Sequence, residues 1–357
     1  MTKLKQFADF TGFSLYVGID VHLKNWDVSV NLGKQNIRSF HQAAECSVLI
    51  NTLKRDYPNA EIHCAYEAGF SGFWLQRELT NAGISCIVVN AADIPQTDKE
   101  RKTKTDRRDS KKIAQALEAG QLNPIFIPDI ESEGHRRLVR YRLQLLRDLN
   151  KSKARVKHLL HQQGIAIPKN FKSGKWSKAF FQWLRTINTN IESIKYTLDK
   201  MIIQVEQTKQ ELKDVTNEME KLLENEKYKK TADILMGIPG VGPITAATLI
   251  VEINDIRRFS SFKKFNSYIG FCPGEHSSGE SERKGHIISR NHNVLRALLI
   301  EAAWMAVKKD PALLISYTNL IKRMTGKRAI IKIARKLLNR IYHVWYRGEN
   351  YQKGVIN

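Results

Sequence analysis

Cysteine is scarce in this chain: Cys46, Cys64, Cys86 and Cys272 are the whole supply, and no two stand at C-x-x-C spacing. That excludes a disulfide framework and a thiolate zinc site, and leaves four small apolar residues suited to a reducing compartment. Long apolar runs are also missing. No stretch approaches the ~20 residues that a membrane-spanning helix needs, so no membrane partner is expected. The opening residues, MTKLKQFADFTGF, lack the apolar core of a secretory signal. The expected location is the cytoplasm. Acids are in short supply as well: 36 Asp and Glu stand against 58 Lys and Arg, a formal net charge of +22 over 357 residues. Such an excess attracts polyphosphate, with counterion release driving the association. The plainer alternative is a basic surface with no dedicated ligand.

What is present is patterned. The strings SLYVGIDV, WDVSVNL, EIHCAYEA and ISCIVVN read as strands, and CSVLINTLKRDY and FWLQRELTNAG as helices. This predicts a mixed sheet carrying helices over residues 14–90. The run DKERKTKTDRRDSKKIAQAL, residues 98–117, is basic and enters a helix near Thr105 or Asp106. From about 131 to 230 the chain carries apolar residues at helical spacing among many charges, which predicts two long helices in an antiparallel hairpin or a coiled-coil arm. Their connection, IAIPKNFKSGKWSKAF, reads as a loop. The last third is compact and mostly helical. The expected class is α/β plus all-α, divided into 1–130, 131–230 and 231–357.

Four carboxylates draw attention. Asp20 and Glu67 each end an apolar strand-like run, and Asp106 and Asp109 sit three apart in TDRRDSKK, on one face if that segment is helical. Each has a modest reading by itself: a turn acid, a strand-end acid, and a pair favoured by a helix N-terminus. Together, four carboxylates around one point repel unless divalent cations neutralise them, and hard oxygen donors suit Mg2+ or Mn2+. Two such ions serve phosphodiester chemistry. Lys102, Lys104, Arg107, Arg108, Lys111 and Lys112 crowd the acid pair and are candidate phosphate contacts.

Further along, ILMGIPGVGPITAATLIVEI reads as helix, tight turn and helix, a helix-hairpin-helix in which Gly240 and Gly242 let the backbone turn and approach a phosphate. Such hairpins also serve as packing devices. The following stretch, residues 274–286, reads as a polar loop and carries Ser277, Ser278 and Ser281 beside His276, Arg283 and Lys284. A flexible surface loop is the plain reading. The chemical one is a serine nucleophile on phosphorus with cationic support from Arg283 and Lys284.

The ordered set GID (18–20), YEAGFSGFWL (66–75), KTDRRDSKKIAQAL (104–117), GIPGVGPITAATLIVEI (237–253) and SYIGFCPGEHSSGESERKGHIISRNHNVLRALLIEAAWMAV (267–307) resembles the DEDD-type transposases of bacterial insertion sequences. These are bridge-RNA-guided recombinases, and pilin-gene invertases are related to them. The resemblance covers nearly the whole chain. It implies an N-terminal RuvC-like, RNase H-type domain whose acids, here Asp20, Glu67, Asp106 and Asp109, bind magnesium. It implies a coiled-coil middle and a C-terminal domain whose nucleophilic serine precedes Gly, which selects Ser278 in SSGES and leaves Ser277 as the neighbouring alternative. It further implies target and donor DNA, a structured noncoding guide RNA, and a homo-oligomer arranged as a dimer of dimers. The chain departs from the pattern in a somewhat long leading segment and in the acids Glu280 and Glu282 of the serine loop. Three rival functions remain: a junction-resolving nuclease using the four acids and water, a protein-guided site-specific DNA invertase, and a non-catalytic nucleic-acid-binding protein.

Overall fold

The computed structural model describes residues 9–95, 106–171, 175–278, 281–287 and 292–352. The chain divides into two compact units, Met1–Ile127 and Pro128–Asn357.

In the first unit the order is β1 (Ser14–Val21), β2 (Asn25–Leu32), β3 (Gln35–Ala43), α1 (Cys46–Asp56), β4 (Glu61–Glu67), α2 (Trp74–Asn81), β5 (Ser85–Val89) and α3 (Asp106–Glu118). The sheet runs β3-β2-β1-β4-β5. The first three strands pair antiparallel, and β4 and β5 continue parallel to β1. Strand alternation divides the residues between two faces. Leu15, Val17, Ile19, Trp26, Val28 and Val30 pack with Leu49 and Leu53 of α1 and Leu75 and Leu79 of α2. The opposite face receives α3. A Cβ built on Gly18 would lie 2.0 Å from the Ser110 carbonyl oxygen and 2.5 Å from the Ala114 amide nitrogen, so only glycine permits this approach. Ser110 is buried and shares a 2.9 Å hydroxyl–hydroxyl hydrogen bond with Ser29 of β2.

Strand β3 is absent from the sequence reading. It is an edge strand with no deeply buried residue, so QNIRSFHQA has little hydrophobic alternation to betray it.

The second unit contains α4 (Ile130–Gln162), α5 (Lys178–Thr186), α6 (Glu192–Lys221), α7 (Glu226–Met236), α8 (Pro243–Ile253), α9 (Phe262–Ile269), β6 (Pro273–Ser278), β7 (Ser281–Ile287), α10 (Asn293–Lys309), α11 (Pro311–Ile321) and α12 (Gly326–Arg347). The long helices α4 and α6 lie side by side in opposite directions, since Arg142 near the start of α4 meets Thr216 near the end of α6. Leu149, Val156 and Leu160 close a core with Leu198, Ile202 and Val205, and Trp176, Phe180, Phe181 and Leu184 join it. Here α5 takes over the end of the connection read as a loop, because Phe180, Phe181 and Leu184 recur at helical spacing and all bury. Helix α8 is buried from Thr245 to Ile253, within a cluster that also takes residues of α7, α9, α10 and α12.

The polar loop expected over 274–286 is instead a two-stranded antiparallel ribbon. Its pairing is a backbone ladder, which needs none of the apolar alternation that a strand reading looks for. Among the described residues no helix is long and apolar enough to cross a membrane.

Candidate active site

The sheet register arranges the acids. Ile19 is paired with Tyr66 in the parallel β1–β4 ladder, so the next step along both strands sets Asp20 beside Glu67. In the antiparallel β1–β2 ladder, Asp20 stands opposite Asp27. Residues facing each other across neighbouring strands share a sheet face, and alternation puts all three on the side of Gly18, Ser29 and Ala65, which is the face under α3. The result is a row of carboxylates, Asp27–Asp20–Glu67, across three adjacent strands.

Helix α3 runs along the same face with its N-terminus toward that row. Glu118 at its C-terminal end accepts hydrogen bonds from Asn31 Nδ2 (3.2 Å) and the Lys34 amide, while Ser110 sits on Ser29. Extending α3 backward by one turn covers about 6 Å, and stepping from Ser29 to Asp27 covers about 7 Å. The backbone of Asp106 and Asp109 is thereby carried to the acidic end of the sheet. The side chain of Asp109 is one-quarter exposed and lies 3.7 Å from Lys112 Nζ. Asp20 lies 3.2 Å from His22 Nε2, and Asp27 lies 3.3 Å from His41 Nδ1.

Asp27 was missed in the sequence. Its signal was the polar half of the β2 alternation, Asp27, Ser29 and Asn31, all buried. A strand whose second face is polar and buried must meet polar partners there, and α3 supplies some of them.

The donor chemistry of Asp20, Glu67 and Asp109 fits a hard divalent cation: carboxylate oxygens on side chains partly open to solvent. Among the described residues no three His, Cys, Asp or Glu side chains already stand close enough to share one ion. The side chain of Asp106 lies outside the described ones, as do those of Arg107 and Arg108. Lys102 and Lys104 fall wholly outside the described residues. Lys111 and Lys112 occupy the second turn of α3, both half-buried.

The backbone of the ribbon places Ser278 opposite Ser281 and Ser277 opposite Glu282, at its closing end. Arg283 and Lys284 follow on β7, opposite His276 and Glu275. Nothing about these side chains is described. In the helix-hairpin-helix, Gly240 has φ +91°, and an added Cβ would lie 2.3 Å from the Ala302 carbonyl of α10. Gly240 therefore serves both the turn and the seat of α10. Gly242 precedes Pro243 as the cap of α8, and a Cβ there would meet nothing within 4 Å.

One buried carboxylate ties these parts of the second unit together. Glu252 of α8 is 2% exposed, and Arg140 of α4 donates to it in a bidentate fork at 2.8 and 2.9 Å. Arg136 stands 3.6 Å away, and His292 Nε2, just past the serine ribbon, lies at 3.3 Å. Burial by itself would raise the Glu252 pKa; the hydrogen bonds from Arg140 and His292 overturn that and hold it at about 2. We expect Glu252→Gln to lower stability by about 3–5 kcal/mol at neutral pH, because the arginines lose their buried counter-charge. A carboxylate with a depressed folded pKa stabilises fully above its ordinary value near 4.5 and loses that contribution as pH falls through about 2. Thermal melts of the two proteins should thus differ most at pH 7 and converge toward pH 2. An equal gap at both ends would refute the charge-pairing account.

Comparison with known proteins adds independent information. Residues 17–164 match the model of a DEDD transposase domain of the IS110 type, and residues 232–318 match that of the IS116/IS110/IS902 transposase family. Together they span about two thirds of the chain. The first match implies an RNase H-like fold for the N-terminal sheet. The transposase for insertion sequence element IS1533 of Leptospira borgpetersenii is 27% identical over 299 residues, covering 81% of this chain and 84% of that protein. The transposase for insertion sequence element IS1111A of Coxiella burnetii is 24% identical over 264 residues, with 71% and 70% covered. A pilin gene-inverting protein of Moraxella bovis is 34% identical over 131 residues, with 35% and 39% covered.

Proposed function

Because this chain belongs to the IS110/IS116/IS902 family of insertion-sequence transposases, and is thus a DNA transposase and recombinase, we propose that it exchanges DNA strands through a phosphoserine intermediate under the guidance of a structured noncoding RNA. The observation that supports this most is the convergence of strand ends and helix: Asp20 and Glu67 adjacent on one sheet face, with the N-terminal turn of α3 brought to the same end.

The roles divide over three parts. In residues 1–130, Asp20, Glu67, Asp106 and Asp109 hold magnesium, or manganese in its place. An ion held there would supply charge neutralisation at the phosphodiester and would make an attacking oxygen easier to ionise. Residues 131–230 form the assembly arm, and 231–357 carry the nucleophile. The Ser278 hydroxyl oxygen bonds to phosphorus as the bond from phosphorus to one sugar oxygen breaks. The serine proton leaves to a base, and the departing sugar oxygen gains a proton. Attack by another strand's sugar hydroxyl reverses these steps, so each phosphodiester broken is matched by one formed. Arg283 and Lys284 offset charge on the phosphoryl oxygens. Lys102, Lys104, Arg107, Arg108, Lys111, Lys112 and the turn at Gly240–Gly242 contact backbone phosphates. Base pairing with the guide RNA selects target and donor, which leaves the protein to read duplex shape and charge. The working assembly is a dimer of dimers in which one subunit's acids meet another's serine.

The test combines purified protein, labelled donor and target duplexes, Mg2+ and RNA transcribed from the element's noncoding end. We expect recombinants and a protein–DNA adduct that survives denaturation, both dependent on the RNA. Cleavage to free ends without an adduct would select the junction-nuclease reading. Recombination indifferent to the RNA would select a protein-guided invertase.

A further inference from the structure

The helical arm contains a cleft that the serine and the acid row do not use. It lies between α4, α5 and α6 and encloses about 660 Å³. Five cations line it: Arg142 from α4, Lys178 and Arg185 from α5, and Lys209 and Lys213 from α6. One acid, Glu206, shares the lining, and it is already taken by Arg185 at 2.6 Å. That leaves four positive charges facing one concavity with no carboxylate of the lining to answer them.

Some lysines of the arm outside the cleft are paired with acids. Lys195 is paired with Asp199 at 2.9 Å, and Lys221 with Glu218 at 2.8 Å, each along its own helix. In the cleft two of the cations, Arg142 and Lys209, are held in place by neutral groups. The Arg142 Nε donates to Thr216 Oγ1 at 2.9 Å. The Lys209 ammonium donates to the Trp176 carbonyl at 3.3 Å and sits 5.6 Å from the Phe181 ring centroid. Such partners fix the direction of a cation without cancelling its charge. Burial disfavours the charge on Arg142, against the attraction of Glu220 outside the lining, and lowers the pKa of nearby Lys153, which the charges of Lys209 and Lys157 depress further. Like charges gathered in a concave, partly desolvated site repel one another, and a bound anion relieves that cost.

The arrangement also has the right extension for a chain of anions. Lys209 and Lys213 are one helical turn apart on α6, and Lys178 and Arg185 are about two turns apart on α5, which is roughly 10 Å along the axis. Phe181 is 5% exposed and is covered by Lys209, so it offers no face for a base to stack on. These features favour backbone contact over base reading.

We propose that this cleft is a nucleic-acid backbone site, separate from the catalytic acids, that grips successive phosphates without reading sequence. It does not depend on the serine chemistry, and it holds whichever strand, guide RNA or DNA, reaches the arm.

The test is binding of the full-length protein to fluorescently labelled RNA and duplex DNA of arbitrary sequence, measured by anisotropy over a series of KCl concentrations. Three variants are compared with the wild type. Arg142→Gln/Lys209→Gln/Lys213→Gln empties the centre of the cleft. Lys178→Gln/Lys213→Gln alters two lining ammonium groups that make no side-chain hydrogen bond among the described residues, and so guards against misfolding of the first. Lys195→Gln/Lys200→Gln/Lys221→Gln removes three charges from the same arm outside the cleft. Each lost phosphate contact flattens the slope of log K against log salt by about 0.7–0.9. The expected loss of slope is therefore about 2–3 for the triple cleft variant, about 1.5 for the double, and below about 1 for the outside control. Loss with RNA alone assigns the cleft to RNA, loss with DNA alone assigns it to DNA, and loss with both makes it a shared backbone grip. If the cleft variants melt like the wild type and show no greater loss of slope than the control with either ligand, the proposal is overturned.

Discussion

Strand cleavage is expected to fall by about a thousandfold or more in each of Asp20→Ala, Glu67→Ala, Asp106→Ala and Asp109→Ala, with no loss of thermal stability in metal-free buffer. A thousandfold corresponds to about 4 kcal/mol, the scale on which divalent ions stabilise charge in a phosphodiester transition state. The stability expectation comes from the sheet. Asp27, Asp20 and Glu67 stand side by side on one face, where like charges repel across strands, so removing one relieves the apo protein. Added Mg2+ should raise the melting temperature of the wild type, since an ion bound only by the folded state stabilises it. The four variants should lose that rise. Activity, apo melting temperature and the Mg2+-induced shift are three separate readings. A variant that keeps full activity removes its residue from the ligand set. One that unfolds without metal shows instead that its carboxylate is structural.

The second large effect concerns the serine. Ser278→Ala should abolish the denaturation-resistant adduct and recombination together, and Ser277→Ala should retain both. A serine hydroxyl is a weak nucleophile at neutral pH and needs a base or a cation to activate it. The ribbon carries His276 two positions before Ser278, but the paired residue across from Ser278 is another serine. If the activating carboxylates come from another subunit, mixing Ser278→Ala with Asp20→Ala protein should restore part of the activity. In such a mixture some assemblies join one partner's acids to the other's serine. The measurement is recombinant yield for each protein alone and for the mixture, with adducts resolved on a denaturing gel. Adduct from Ser278→Ala transfers the role to Ser277. Absence of rescue in assemblies shown to be mixed would place the whole site within one chain.

Much of this protein is legible without coordinates. The strands carrying Asp20 and Glu67 announce themselves because each buries one apolar face and has a carboxylate at or next to its end. Helix α3 is described from Asp106 to Glu118, within the stretch where the charge pattern placed a helix. The net charge names polyphosphate as the partner because electrostatics at long range sums over the chain, whatever its fold.

Other features arise only from packing. Strand β3 and the serine ribbon carry no apolar period, since a backbone ladder holds strands together without one. Gly18 looks like any strand glycine until α3 is laid against it at a distance no side chain allows. Asp27 joins the acid row through register, which is a relation between strands and has no local signature. Glu252 sits in an apolar string, TLIVEI, that suggests a helix end. Its partners come from more than a hundred positions back and forty ahead, and only the tertiary fold makes it the buried anion between Arg140 and His292. Sequence determined the parts whose physics is local: periodicity, strand ends and total charge. Tertiary structure decided those that depend on what stands opposite, because pairing, burial and the neutralisation of charge are properties of neighbours far apart in the chain.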